Sequence, residues 1–91
     1  MGTSAENAGT VDAVLSEAEY REQLREMPPS AKLVAKVLER DAPLSQTRVA
    51  EESLLPGRTV RYALSRLEEQ GLVESRYSLQ DARKQVYTLT R

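Results

Sequence analysis

The sequence contains no cysteine and no histidine. Without cysteine there is no disulfide framework, no thiol redox sensor and no Cys-based zinc site. With histidine missing as well, the usual nucleophile-and-base pairs and most transition-metal sites cannot be assembled, so neither an enzyme nor a cofactor is expected. No apolar run approaches the ~20 residues of a membrane span, and no basic segment followed by an apolar core opens the chain. A soluble, cytoplasmic protein is the expectation. Glycine and proline number four each and nowhere gather into a linker, so the chain has room for one compact domain. A domain this small buries only about 60% of the surface its unfolded chain exposes, a shortfall that a partner subunit would offset.

The formal net charge is −1, which argues against indiscriminate nucleic-acid binding, but the charge is unevenly placed. Residues 1–41 carry eight acids against five bases, a net of −3. From Leu54 onward, Arg58, Arg61, Arg66, Arg76, Arg83, Lys84 and Arg91 face four acids, a net of +3. The basic charge therefore sits in the C-terminal third.

Residues 1–15 open with MGTSAENAGT, small and polar without periodic apolar positions, and are expected to be a disordered tail. Ser16 and Glu19 have capping-box spacing, which predicts a helix from about Glu17 to Met27. Tyr20, Leu24 and Met27 form a narrow apolar stripe on it, and Pro28-Pro29 forbids its continuation. A second helix is predicted from Pro29 or Ser30 to Arg40, with Leu33, Val34, Val37 and Leu38 on its core face. Asp41-Ala42-Pro43 breaks it, Leu44 is a short extended piece, and Ser45 is a preferred N-cap for a third helix through about Ser53. After the interruption at Leu54-Leu55-Pro56-Gly57, a fourth helix of about residues 57–70 buries Val60, Ala63, Leu64 and Leu67. Gly71 is suited to end it at positive φ. Leu72–Tyr77 and Gln85–Thr90 are β-prone runs around the polar stretch SLQDARK, which reads as a hairpin with a basic tip at about residues 78–85. Tyr77 and Tyr87 are expected to pack across that hairpin.

The resulting fold class is mainly α with a small β-hairpin (α+β). A two-helix unit followed by a hairpin suggests a winged helix, with residues 16–91 as the domain and 16–27 as an N-terminal helical extension. Within this order, LSQTRVAEESLLPGRTVRYALSRLEEQGLVESRYSLQDARKQVYTLT resembles the helix-turn-helix and wing of MarR-type and ArsR-type regulators. The resemblance covers roughly Pro29 to Arg91 and is most specific in TVRYALSRLEEQGLVES and DARKQVYTLT. It implies sequence-specific binding of double-stranded DNA, repression by blocking a promoter, and a homodimer. Such motifs usually carry glycine where this chain has Leu54, which predicts a turn that is longer or differently shaped.

At 100° per residue from Val60, Arg58, Tyr62, Ser65 and Arg66 point away from the buried stripe, with Thr59 and Arg61 on its flanks. These six form the candidate major-groove face. Arginine is best shaped to read guanine O6 and N7, so Arg58 and Arg61 are the preferred base readers. Gln46, Thr47 and Arg48 open the preceding helix, where backbone N–H groups favour a phosphate. Arg83 and Lys84 resemble the basic wing residues that follow the minor groove, with Arg76 assisting.

Competing readings stand beside these. Arginines on an exposed helix face are commonly solvated surface, Arg66 could pair with Glu69 or Tyr62 instead of DNA, and the whole domain could serve protein contact as an adaptor. Tyr20, Leu24 and Met27 could cover the domain's own core or form a dimer interface. The last expected strand falls at the end of this sequence, without the long C-terminal dimerisation helix typical of MarR-type proteins, so a dimer is expected to use N-terminal elements or the first core helix.

Overall fold

The computed structural model describes residues 15–90. Of the expected tail, residues 1–14 lie outside the described residues, and Leu15 packs against the core. Helix α1 spans Glu17–Arg25 and opens on the capping box: Ser16 Oγ accepts the Glu19 N–H at 3.1 Å, and Glu19 Oε1 accepts the Ser16 N–H at 3.0 Å. It ends two residues short of Met27, where the Glu26 and Met27 N–H groups turn back onto Gln23 and Leu24 carbonyls. Helix α2, Pro29–Asp41, uses Pro29 at its first position, where a missing N–H costs nothing.

The two-residue strand β1, Leu44–Ser45, leads into helix α3, Gln46–Ser53, whose N-cap Ser45 accepts the Arg48 N–H at 3.2 Å. Helix α4, Gly57–Glu69, follows Pro56. It closes in a Schellman motif: Gly71 has φ +74°, the Gly71 N–H reaches the Glu68 carbonyl at 3.0 Å and the Leu72 N–H reaches that of Leu67 at 2.9 Å. Strands β2, Val73–Tyr77, and β3, Gln85–Leu89, form the wing.

The expected two-stranded hairpin is a three-stranded antiparallel sheet of order β1-β3-β2. Leu44 pairs with Tyr87, and Tyr87 in turn with Ser75. Leu44 is thus tied into the wing, which anchors the start of α3 to the sheet. At the wing base the Thr90 N–H and hydroxyl donate to the Leu72 and Gly71 carbonyls.

One core joins all helices to the sheet. Val60, Ala63, Leu64 and Leu67 of α4 are buried as the periodicity predicts, together with Val34, Val37, Leu38, Val49, Leu72 and Val73. Each of these valine and leucine side chains contributes roughly 1.5–3 kcal/mol by leaving water. On α2 the buried set differs from the prediction at three residues. Leu33 is exposed, while Ala31 and Ala35 are fully buried, because the close approach of α2 to its neighbours accommodates small side chains at those positions. Tyr77, expected to pack, is 65% exposed at the outer end of β2, whereas Tyr87 packs against the core.

Tyr20, Leu24 and Met27 lie in the chain's own core. The Tyr20 hydroxyl also donates to Glu39 Oε2 of α2 at 2.7 Å. Of the two placements open for this stripe, the intramolecular one holds. The tentative dimer-interface assignment of Tyr20, Leu24 and Met27 is corrected, since side chains so buried present no surface to a partner. No described helix is long and apolar enough to cross a membrane.

Candidate nucleic-acid interface

The turn between α3 and α4 decides how α4 is presented. Leu54 adopts the left-handed conformation, φ 63° and ψ 23°, and its N–H closes on the Ala50 carbonyl at 2.9 Å. The expectation of a longer or altered turn is therefore corrected: the left-handed geometry is kept with leucine in it. The side chain is 89% exposed and gains little by packing, so the left-handed strain of about 1–2 kcal/mol is largely uncompensated at this residue. Buried Ser53 supports the bend through its hydroxyl, which accepts the Leu55 N–H at 3.3 Å.

Because Val60, Ala63, Leu64 and Leu67 are consumed by the core, the opposite side of α4 is left to solvent. Arg58, Arg61, Tyr62 and Ser65 are exposed there, and Thr59 and Arg66 are half-buried. Arg61 thus stands further out than its predicted flank position. Arg58 and Arg61 make no ion pair or side-chain hydrogen bond with the described residues. Arg61 does lie close enough to Tyr87 for its charge to act on that phenol. Burial pushes the Tyr87 phenol up and the Glu68 carboxylate adds to the shift, while the Arg61 guanidinium opposes both.

Arg66 is engaged by its own helix. Its guanidinium donates to the Tyr62 hydroxyl at 3.2 Å, lies 5.9 Å from that ring's centroid and stands 3.9 Å from Glu69. Tyr62 and Arg66 therefore form a unit on the exposed face.

At the start of α3, Gln46, Thr47 and Arg48 border a cleft together with Ser45, Lys84 and Gln85. The tip end of β3 and the α3 N-terminus thus share one depression. Arg48 is neutralised where it stands, 2.9 Å from Glu52 and 3.3 Å from Glu51. Arg40 reaches the same Glu52 at 3.4 Å and Asp41 at 3.0 Å. The Asp41 carboxyl is held below its ordinary range, first by its contact with Glu52 and then by Arg40. Arg40 thus ties α2 to α3 through Glu52, a carboxylate that Arg48 shares from within α3.

In the wing, the Arg83 N–H donates to Asp81 Oδ1 at 3.0 Å and its guanidinium stands 3.4 Å from the same oxygen, with the side chain 92% exposed. Lys84 is exposed and makes no ion pair among the described residues, and the same holds for Arg76. The geometry thus brings the α4 arginines, the α3 start and the wing cations to exposed positions, with Lys84 beside the α3 N-terminus. One exposed wing residue escaped the sequence reading: Leu79, a lone apolar side chain inside the polar tip. Among the described residues no cluster of carboxylates could hold a metal ion.

Residues 35–74 match the family model of winged helix-turn-helix DNA-binding domains. With α3, α4 and the wing in place, the fold class is set: the chain is a winged helix-turn-helix. Solved transcription regulators share this fold. The PcaV transcriptional regulator of Streptomyces coelicolor, solved with its natural ligand, is 26% identical with a TM-score of 0.67 over 78% of this chain and 52% of PcaV. BpsR of Bordetella bronchiseptica, whose DNA binding is regulated by 6-hydroxynicotinic acid, is similar in fold, with 23% identity, TM-score 0.69, and 78% and 53% of the two chains covered. A MarR family transcription regulator, SP03579, shares the fold at 19% identity and TM-score 0.68, with 78% and 48% covered. The chain spans about half the length of these proteins. No curated protein matches the sequence.

Proposed function

We propose that this chain is a sequence-specific double-stranded DNA-binding transcription regulator that represses by occupying a promoter. In this reading α4 enters the major groove and Arg58 and Arg61 read base edges, guanine being the best partner for a guanidinium. Thr59, Tyr62, Ser65 and Arg66 line the same groove. Gln46 and Thr47 hold a phosphate at the α3 N-terminus, and Arg83 and Lys84 follow the minor groove. Arg48 reaches a phosphate only by exchanging its carboxylate partners for it.

A homodimer would place two such helices on a two-fold site with half-sites about one helical turn apart, ~34–36 Å. The partner surface lies away from the Tyr20, Leu24 and Met27 stripe, which is consumed internally.

The observation that carries the reading is the state of Arg58 and Arg61. They project from a core-anchored helix and have no carboxylate partner among the described residues. Substituting both, Arg58→Ala with Arg61→Ala, is expected to lower affinity for a duplex selected from random DNA by about 100-fold or more, since each bidentate arginine contributes about 1–3 kcal/mol. Exposed as they are, their loss should leave the circular dichroism spectrum unchanged. Undiminished duplex binding by the double variant would contradict the proposal and favour the adaptor role.

A further inference from the structure

The wing tip holds a leucine where no packing asks for one. Leu79 is 105% exposed, so its side chain has no apolar support from its own chain. Yet the backbone that carries it is well fixed. The Ser78 N–H donates to the Lys84 carbonyl at 2.8 Å, the Lys84 N–H to that of Asp81 at 2.9 Å, the Gln80 N–H to Ser78 Oγ at 3.1 Å and the Arg83 N–H to Asp81 Oδ1 at 3.0 Å. Four hydrogen bonds within a short turn hold the leucine on a rigid ledge.

The charge around that ledge identifies what would cover it. Arg76 and Lys84 carry no carboxylate partner among the described residues, and Arg83 is almost fully exposed beside a single aspartate. Arg76 lines one depression with Leu79, and the turn that carries the leucine also carries Arg83 and Lys84. An apolar side chain in so basic a wing suits a surface that is anionic outside and apolar within, and a nucleic-acid duplex has that profile, with phosphates flanking stacked bases. A second protein's apolar patch would leave the cations unmatched.

We propose that Leu79 acts as a wedge: when the wing meets duplex DNA, its side chain enters the minor groove and partly unstacks one base-pair step. The inference rests on the DNA-binding reading above and adds a source of specificity to it. Leucine is among the side chains that serve as such wedges, and pyrimidine–purine steps yield to them most readily. The wing would thereby favour sites carrying a TA or CA/TG step at a fixed distance from the bases contacted by α4, without any hydrogen bond to that step.

The test uses the full chain and duplexes it selects from random DNA, with 2-aminopurine placed in turn at each pyrimidine–purine step under the wing. Wild-type protein is expected to raise the fluorescence of the probe at one step. Leu79→Ala should abolish that rise and lower affinity for the selected duplex by about tenfold, the size of one mismatched pair, with affinity for random duplex unchanged. Leu79→Met, which keeps an apolar side chain, should restore both signals. Selection of duplexes by wild type with no probe responding, and equal binding by Leu79→Ala, overturns the wedge while leaving the DNA-binding reading intact. Failure of wild type to retain any duplex overturns both. A sedimentation experiment in which Leu79→Ala dissociates a wild-type dimer would show another copy of the chain on the leucine and would equally overturn the wedge.

Discussion

The α1–α2 side and the α4–wing side carry similar numbers of basic side chains but pair them to different extents: four of five on the first side, and only Arg66 and Arg83 of six on the second, among the described residues. On α1 and α2, Arg21 stands 3.7 Å from Glu17, Arg25 3.4 Å from Glu22, Lys36 3.5 Å from Glu39 and Arg40 3.0 Å from Asp41, with Lys32 the exception. On α4 and in the wing, Arg58, Arg61, Arg76 and Lys84 have no such partner among the described residues. Exposed pairs contribute little to stability, but they cancel the local field. A net charge of −1 therefore says little about where an anion can bind; pairing decides it.

The comparison can be broken in order of effect. The largest loss falls on the paired removal of Arg58 and Arg61, described above. Next, reversing the wing with Arg83→Glu and Lys84→Glu should weaken duplex binding about tenfold across all sequences and flatten the dependence of log K on log salt by roughly two phosphate contacts, read by fluorescence anisotropy at several salt concentrations. Neutralising two cations on the other side, Arg21→Ala with Arg25→Ala, should change affinity less than about twofold, because those charges are already compensated. A large effect there would erase the distinction between the two sides.

A smaller effect concerns the turn that presents α4. Leu54→Gly relieves about 1–2 kcal/mol of left-handed strain and costs about 0.5–1 kcal/mol in unfolded-state entropy. A net stabilisation of about 0.5 kcal/mol is expected, visible as a rise in Tm of roughly 2–4 °C. A fall in Tm would mean that the leucine side chain supports the turn after all.

Much of the frame was legible because short-range rules govern it. Ser16 with Glu19, Ser45 and Gly71 mark helix ends through local hydrogen bonds, and the α4 stripe follows directly from helical period. What escaped depends on contacts between distant residues. That Ala31 and Ala35 are buried while Leu33 is exposed reflects how closely α2 meets its neighbours, and β1 gains its strand character only from β3. Tyr20 could be assigned to its own core only once Glu39 was seen to receive its hydroxyl. At the site, the exposure of Arg58 and Arg61 followed from periodicity. The pairing of Arg48 with Glu51 and Glu52 has the local spacing of one helix face and was missed, whereas the contact of Arg40 with the same Glu52 joins two helices and had no local signal.

The most direct test of the unpaired face is a backbone amide NMR titration of the full chain with a selected duplex. Shifts or broadening confined to residues 46–48, 57–66 and 78–85, with residues 17–40 unmoved, is the predicted result. Perturbations centred on residues 17–40, with 57–66 silent, would contradict it.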